Sequence, residues 1–280
     1  MSEKSTQEQN KELKQQKKNA YQELMKLVKL GLPLVRPVFV VPGWTDESCW
    51  NWVKPYALQL PLKAWTSKIV KNKKLVYYVT FTDAESKSCK SFIDFGGILK
   101  KRIEDTVGKS NEFDIIGHSM GGLDIRSAIA IHGLKNTQNC ITVATPHKGA
   151  MLAEIGNILK VKYLPHHKAQ CNALARRSQE INELNSFDNR KKFIESIQKL
   201  FQFSGTYDKV VQIKESRIES RDLSQTLRNK TMQVLFDRAD HVDEKGITRD
   251  VRVIVALLHV LVGIEPERPK YNYGYLYKKA

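Results

Sequence analysis

The residues with the greatest capacity for chemistry lie in Gly117-His118-Ser119-Met120-Gly121. This Gly-x-Ser-x-Gly pattern follows an apolar run at 113–116 and precedes a segment with Leu123, Ile125, Ala128, Ile129 and Ile131 at helix-compatible positions. A strand that turns sharply into a helix at such a pattern lifts the serine hydroxyl above the strand end. The two glycines omit the Cβ atoms that would collide where strand and helix pass closest. A serine hydroxyl is a poor nucleophile near neutral pH, so Ser119 needs a base within hydrogen-bond reach and an acid that orients the base. On a strand–turn–helix scaffold the expected chain order is Ser, then Asp or Glu, then His.

Six histidines follow Ser119: His132, His147, His166, His167, His241 and His259. His132 falls on the helix after the serine, pointing away from the strand ends, and His259 sits within an apolar helical stretch suited to core packing. His241 lies in Ala239-Asp240-His241-Val242-Asp243, a polar loop between the last expected strand and the last helix, where a base belongs. For the acid, Gly205-Thr206-Tyr207-Asp208-Lys209-Val210-Val211 places Asp208 in a strand-end loop. Asp237 and Asp240 are the alternatives, but they share the loop of His241. A tetrahedral intermediate also requires two backbone N–H groups aimed at its oxyanion. The spacing offers Met120, at a helix N-terminus, and Trp44, after Pro42-Gly43 breaks the first strand. The competing readings are a surface histidine at His241 and a packed aromatic at Trp44.

These residues need a scaffold. Strand-like runs at 35–41, 75–81, 113–116, 140–144, 200–204 and 232–236 alternate with helical patterns at 48–58, 90–107, 121–132 and 250–262. That alternation predicts an α/β fold: a mainly parallel sheet of about six strands with helices on both faces. Residues 150–197 break it and read as an insertion, with a helix at 178–184. Residues 1–32 read as a basic helical extension, a Lys/Gln-rich helix or tail followed by an apolar face of Tyr21, Leu24, Met25 and Val28. This face suits packing on its own domain, a membrane surface or a partner helix. Residues 33–280 make one domain.

Composition narrows the function classes. Forty-six Lys and Arg against 30 Asp and Glu give a net charge of +16, which implies attraction to something anionic. A nucleic-acid partner would account for the charge, but no basic-aromatic recognition motif or zinc pattern points to one. Cys49, Cys89, Cys140 and Cys171 are scattered without a Cys-x-x-Cys pair, as expected of reduced thiols rather than a metal site or a disulfide framework. The first twenty residues hold lysines and almost nothing apolar, so the hydrophobic segment of a secretory signal is missing and an intracellular, cytoplasmic chain is expected. The apolar stretch at 253–264, interrupted by His259, is shorter than the ~20 residues of a membrane span and reads as a buried helix.

At Gly117-His118-Ser119-Met120-Gly121-Gly122-Leu123-Asp124-Ile125-Arg126 the chain resembles the α/β-hydrolases of the lipase and esterase kind, among them bacterial triacylglycerol lipases. Ala144-Thr145-Pro146-His147-Lys148-Gly149, Thr206-Tyr207-Asp208-Lys209-Val210-Val211 and Asp240-His241-Val242 are similar to further turns of that group. The likeness spans about 35–262. It departs at Pro42-Gly43, where many of these lipases carry His-Gly. The resemblance implies Ser119 as nucleophile, His241 as base, Asp208 as acid and the inserted region at 150–197 as a lid. It also implies cleavage of a small-molecule or lipid ester through an acyl-serine, with no metal or cofactor. Acyl transfer to an alcohol by the same triad, or a non-catalytic binding protein on this scaffold, are the alternatives. Lys160, Lys162, Lys168, Arg176 and Arg177 make the insertion basic, and an acid-free run at 49–82 adds six lysines. Both suit docking on an anionic membrane surface, with a solvated basic face that keeps the protein soluble as the alternative.

Overall fold

In the computed structural model the described residues are 6–30, 34, 36–43, 76–150, 165–241, 246–263 and 275–279. Trp44, the expected helix at 48–58 and residues 151–164 of the insertion lie outside them, as do the side chains of His166 and His167.

The chain runs α1 (Thr6–Leu30), β1 (Val38–Val41), β2 (Val76–Tyr78), α2 (Asp83–Ser88), α3 (Phe92–Val107), β3 (Phe113–His118), α4 (Met120–Ala130) and β4 (Thr137–Val143). It continues through α5 (Pro165–Leu174), α6 (Gln179–Asn185), α7 (Phe187–Glu195), β5 (Ile197–Gly205), α8 (Gln225–Asn229), β6 (Thr231–Phe236), α9 (Val251–Leu261) and β7 (Tyr275–Lys279). The described strands form a seven-stranded sheet in the order β2-β1-β3-β4-β5-β6-β7. The first six are parallel, and β7 closes the edge antiparallel to β6. The sequence reading did not foresee β7.

Both faces of the sheet are covered, so its central strands are apolar on both sides rather than alternating. Val38, Val40, Ile116, Phe203 and Val234 pack with α1 and α9 on one face. Phe39, Val41, Ile115, Cys140 and Leu200 pack with α3, α4 and α7 on the other. From β1 the chain steps outward to β2 and then returns to β3 on the opposite side. The carboxyl ends of β1 and β3 therefore flank a topological switch point, where open parallel sheets place their ligands.

Two local expectations need correction. Residues 6–30 form one continuous helix. Among its described side chains the buried ones are Ala20, Leu24 and Leu27, while Tyr21 and Met25 are 57% and 41% exposed. The contact with α9 selects a face rotated by one residue from the one that hydrophobicity alone suggests. His132 is not on the helix after Ser119, since α4 ends at Ala130. The ring Nε2 of His132 instead lies 2.8 Å from the Ile93 carbonyl.

Candidate active site

β3 runs fully buried into Ser119, the residue between strand and helix. Ser119 has φ 50° and ψ −124°, a region that typically costs a residue with a side chain ~1–3 kcal/mol and persists only when its surroundings impose it. Here the Ser119 N–H donates to the Val143 carbonyl at 2.9 Å, and its own carbonyl accepts from Gly122 N–H at 3.1 Å. A Cβ at Gly121 would lie 2.1 Å from the Pro42 carbonyl oxygen, and one at Gly117 would lie 2.7 Å from the Gly121 backbone. Only glycines allow the turn after β1 to sit directly against the turn after β3.

The serine hydroxyl meets a histidine there. Ser119 Oγ is 3.1 Å from His241 Nε2, and His241 Nδ1 is 2.8 Å from Asp208 Oδ2. His241 lies in the loop between β6 and α9, with its backbone N–H donating to Asp240 Oδ1 at 2.7 Å. Asp208 follows β5, where its second oxygen accepts the Val210 and Val211 N–H groups at 2.9 and 2.7 Å. The His241 and Asp208 side chains are both buried, at 4% and 0% exposure. Three elements that end at the same sheet edge thus deliver the three groups. Asp240 is occupied by the backbone of His241, and Asp237 accepts the Thr206 hydroxyl at 3.1 Å, so neither faces the imidazole. A cavity of about 480 Å³, lined by residues 206–209, Gln212, Arg238 and Asp240, opens beside the Asp208 loop.

Met120 is the first residue of α4, where the backbone N–H has no partner within the helix ladder and carries the positive end of the helix dipole. Gly43 lies against the serine: a Cβ there would be 3.2 Å from Ser119 Cβ and 3.4 Å from His118 Nδ1.

The remaining histidines have other surroundings. His147 is wholly buried, with Nε2 3.1 Å from Thr142 Oγ1 and Nδ1 3.5 Å from Arg126 Nη1. Burial, followed by the Arg126 charge, pushes the His147 imidazole well below its usual range. Arg126, itself buried and lowered to about 9 chiefly by desolvation, donates to the Leu184 carbonyl at 2.8 Å. The Thr145-Pro146-His147 turn is therefore a structural joint between β4, α4 and the inserted helices. His259 lies 3.5 Å from Glu23 of α1.

One neighbour of the site went unnoticed in the sequence. The His118 ring packs on the His241 ring, with centroids 5.2 Å apart and planes tilted by 36°. Burial, with the neighbouring His241 second, pushes His118 down to about 3, so it is neutral at ordinary pH. Alternation along β3 carries the signal: Ile116 faces the α1/α9 layer, so His118 two residues on faces it too, and His241 enters that layer from the loop before α9.

Asp124, one turn into α4, is also fully buried, and neither of its carboxyl oxygens has a hydrogen-bond partner among the described residues. Desolvation raises its pKa well above 3.8. Among the described residues no group of His, Cys, Asp and Glu is placed to hold a metal ion, and no helix is long and apolar enough to cross a membrane.

Comparison with known proteins agrees with the geometry. No curated protein matches the sequence. The fold is similar to that of lipase BlEst2 from Bacillus licheniformis in its mature form, with a TM-score of 0.56 at 16% identity over 81% of this chain and 91% of that one. Phospholipase PlaB from Legionella pneumophila matches with a TM-score of 0.56 at 15% identity, over 82% of this chain but 57% of PlaB. Esterase RhEst1 from Rhodococcus sp. ECU1013 matches with a TM-score of 0.52 at 14% identity, over 81% and 90%. At these identities the likeness is one of fold, the α/β-hydrolase fold of lipases and esterases. The family model described as "Putative serine esterase (DUF676)" matches residues 56–216, a span that holds Ser119 and Asp208 and stops short of His241. Since that is more than half of the chain, the protein belongs to the DUF676 serine esterase family, whose general chemistry is ester hydrolysis.

Proposed function

We propose that the protein hydrolyses carboxylic esters through an acyl-Ser119 intermediate, with His241 as general base and acid and Asp208 as the group that orients it. The observation that carries this reading is the relay from Ser119 Oγ to His241 Nε2 at 3.1 Å and from His241 Nδ1 to Asp208 Oδ2 at 2.8 Å.

In the first half-reaction Ser119 Oγ attacks the ester carbonyl while its proton passes to His241 Nε2. Asp208, held by two backbone N–H groups, keeps the Nδ1 proton on the far side of the ring and stabilises the imidazolium that forms. The oxyanion of the tetrahedral intermediate lies toward the N-terminus of α4, where the Met120 N–H donates, with Trp44 N–H as the second donor beyond Gly43. Collapse expels the alcohol, which takes the proton from His241. Water, deprotonated by the same ring, then releases the carboxylic acid and restores Ser119. The reaction so written needs no metal or cofactor.

The acid-free basic stretches and the phospholipase and lipase neighbours favour a lipid ester as substrate. The inserted segment 150–197 serves in this reading as the lid. Its described helices pack Ala173, Leu174, Ile181 and Leu184 against Phe92, Phe95, Met120 and Leu123, beside the serine turn.

A fluorophosphonate probe together with a chromogenic ester series tests the proposal. Wild type should label at one serine and turn over the ester, whereas Ser119→Ala should do neither. Stoichiometric labelling of Ser119→Ala, or its normal turnover, would place the nucleophile elsewhere.

A further inference from the structure

α1 carries a second ordered face besides the one that packs on α9. Successive residues turn by about 100° around a helix. Measured from buried Ala20, the residues Lys11, Lys14, Lys18, Tyr21, Met25 and Lys29 fall in one sector about 80° wide on the outer side. All six are exposed. The carboxylates of the helix, Glu8, Glu12 and Glu23, all lie outside that sector. The ion pairs of described α1 lysines are Lys17 with Asp250 and Lys26 with Glu23, on other faces; none of the four stripe lysines is so engaged among the described residues. Of the four large hydrophobic side chains exposed among the described residues, Tyr21 and Met25 are two, and they stand on this stripe within one turn of each other.

We propose that this outer face of α1 docks the protein on an anionic lipid surface, with the lysines over the headgroups and Tyr21 and Met25 at the boundary of the acyl chains. The inner face is already committed: Ala20, Leu24 and Leu27 are buried, Gln16 accepts from Arg252 at 3.2 Å, and Lys17 lies 3.5 Å from Asp250. The helix is thus fixed to the enzyme by one side and presents the other as a rigid rail about 27 Å long. Basic residues combined with a few apolar anchors on one helix face make the two-part signal by which interfacial helices hold an anionic bilayer. The net charge of +16 adds long-range attraction of the right sign.

Two other occupants fit less well. A second copy would set the same lysine row against itself, since the stripe spacing of three and four residues is that of a coiled-coil seam, and like charges would face each other there. Nucleic acid would use the lysines but gives the thioether of Met25 no partner.

The test is co-sedimentation of the full-length protein with phosphatidylcholine vesicles, with and without phosphatidylserine. Binding should require phosphatidylserine and weaken with salt. It should fall about fivefold for each Lys→Gln change at positions 11, 14, 18 and 29, and fall again in Tyr21→Ser combined with Met25→Ser. These variants should keep the parent melting curve and its turnover of a water-soluble ester. Ser119→Ala should bind vesicles like the parent, which separates this inference from the catalytic one. Equal binding to both vesicles, or stripe variants that bind like the parent, would overturn it. So would a concentration-dependent dimer abolished by the stripe variants, or retention on DNA without vesicle binding.

Discussion

Asp124→Asn should stabilise the protein, and the gain should grow with pH. The Asp124 carboxyl is fully buried on α4, neither oxygen has a partner among the described residues, and desolvation lifts its pKa well above 3.8. A carboxyl whose folded pKa is raised contributes stability that is fully present below its unfolded value and is lost as the pH climbs toward the folded one. Each pH unit above the unfolded value favours the unfolded chain, where the group ionises freely, by about 1.4 kcal/mol while the folded state keeps its proton. The penalty therefore grows with pH until the folded value, which desolvation sets well above 3.8, is reached. Even one unit of that slope is a sizeable share of a typical total of ~5–15 kcal/mol. An amide has the same shape and never ionises, and its unmet hydrogen bonds cost about as much as those of the neutral acid, ~1–3 kcal/mol. The variant should therefore match wild type near pH ~4, gain about 1.4 kcal/mol per unit above it, and level off once the pH passes the folded value. Denaturant titrations of both proteins across that range give the difference directly. A constant difference at all pH values, or a variant that is weaker near neutrality, would refute the assignment of Asp124 as a buried, protonated acid.

Asp208→Asn should preserve the fold yet lower kcat by roughly 10⁴, because the amide stabilises the wrong imidazole tautomer; if Asp237→Asn proves the damaging change, the acid is misassigned. Gly43→Val places a branched side chain 3.2 Å from Ser119 Cβ and, if Trp44 N–H is the second oxyanion donor as proposed, has an expected loss of about 10²–10³ in kcat. A melting temperature that drops in step with activity would instead assign Gly43 to packing. His118 and His147 are neutral in the fold and held below 6.5 by burial. Their contribution is therefore present above 6.5 and lost as acid protonates the unfolded chain, by about 1.4 kcal/mol per pH unit per histidine. In the Asp124→Asn background, which removes the opposing carboxyl contribution, an unfolding midpoint that does not move between roughly pH 7 and pH 5 rules this out.

Much of the fold was legible because its signals are local. The Gly-x-Ser-x-Gly turn, the apolar strand runs and the amphipathic helices are each local patterns, and chain order together with position in strand-end loops nominated His241 and Asp208. What was hidden depends on contacts between distant segments. β7 holds Tyr275 to Lys279, a polar-ended run that becomes a strand only because β6 offers it an open edge. The face of α1 was misread by one residue because the partner is α9, more than 200 positions away, and Tyr21 scores as apolar wherever it points. His118 received no role in the sequence reading, and its place beside His241 follows only once the α9 layer is known to cover that face of β3. Trp44, the second oxyanion donor of the sequence reading, lies outside the described residues, so its place rests on Gly43 alone.

The closure of α1 over α9 also governs how the chain reaches its native state. Gln16 meets Arg252 across 236 residues and Asn10 meets Arg238 across 228, so α1 lacks its partner surface until α9, more than 200 residues later, has been made. Its apolar positions, Ala20, Leu24 and Leu27, stay uncovered until then, and the sheet layer that they seal stays open with them. Long-range closure of this kind slows folding and prolongs the life of sticky intermediates. The lysines on the outer side of the same helix carry like charges, which oppose association between copies of the waiting segment.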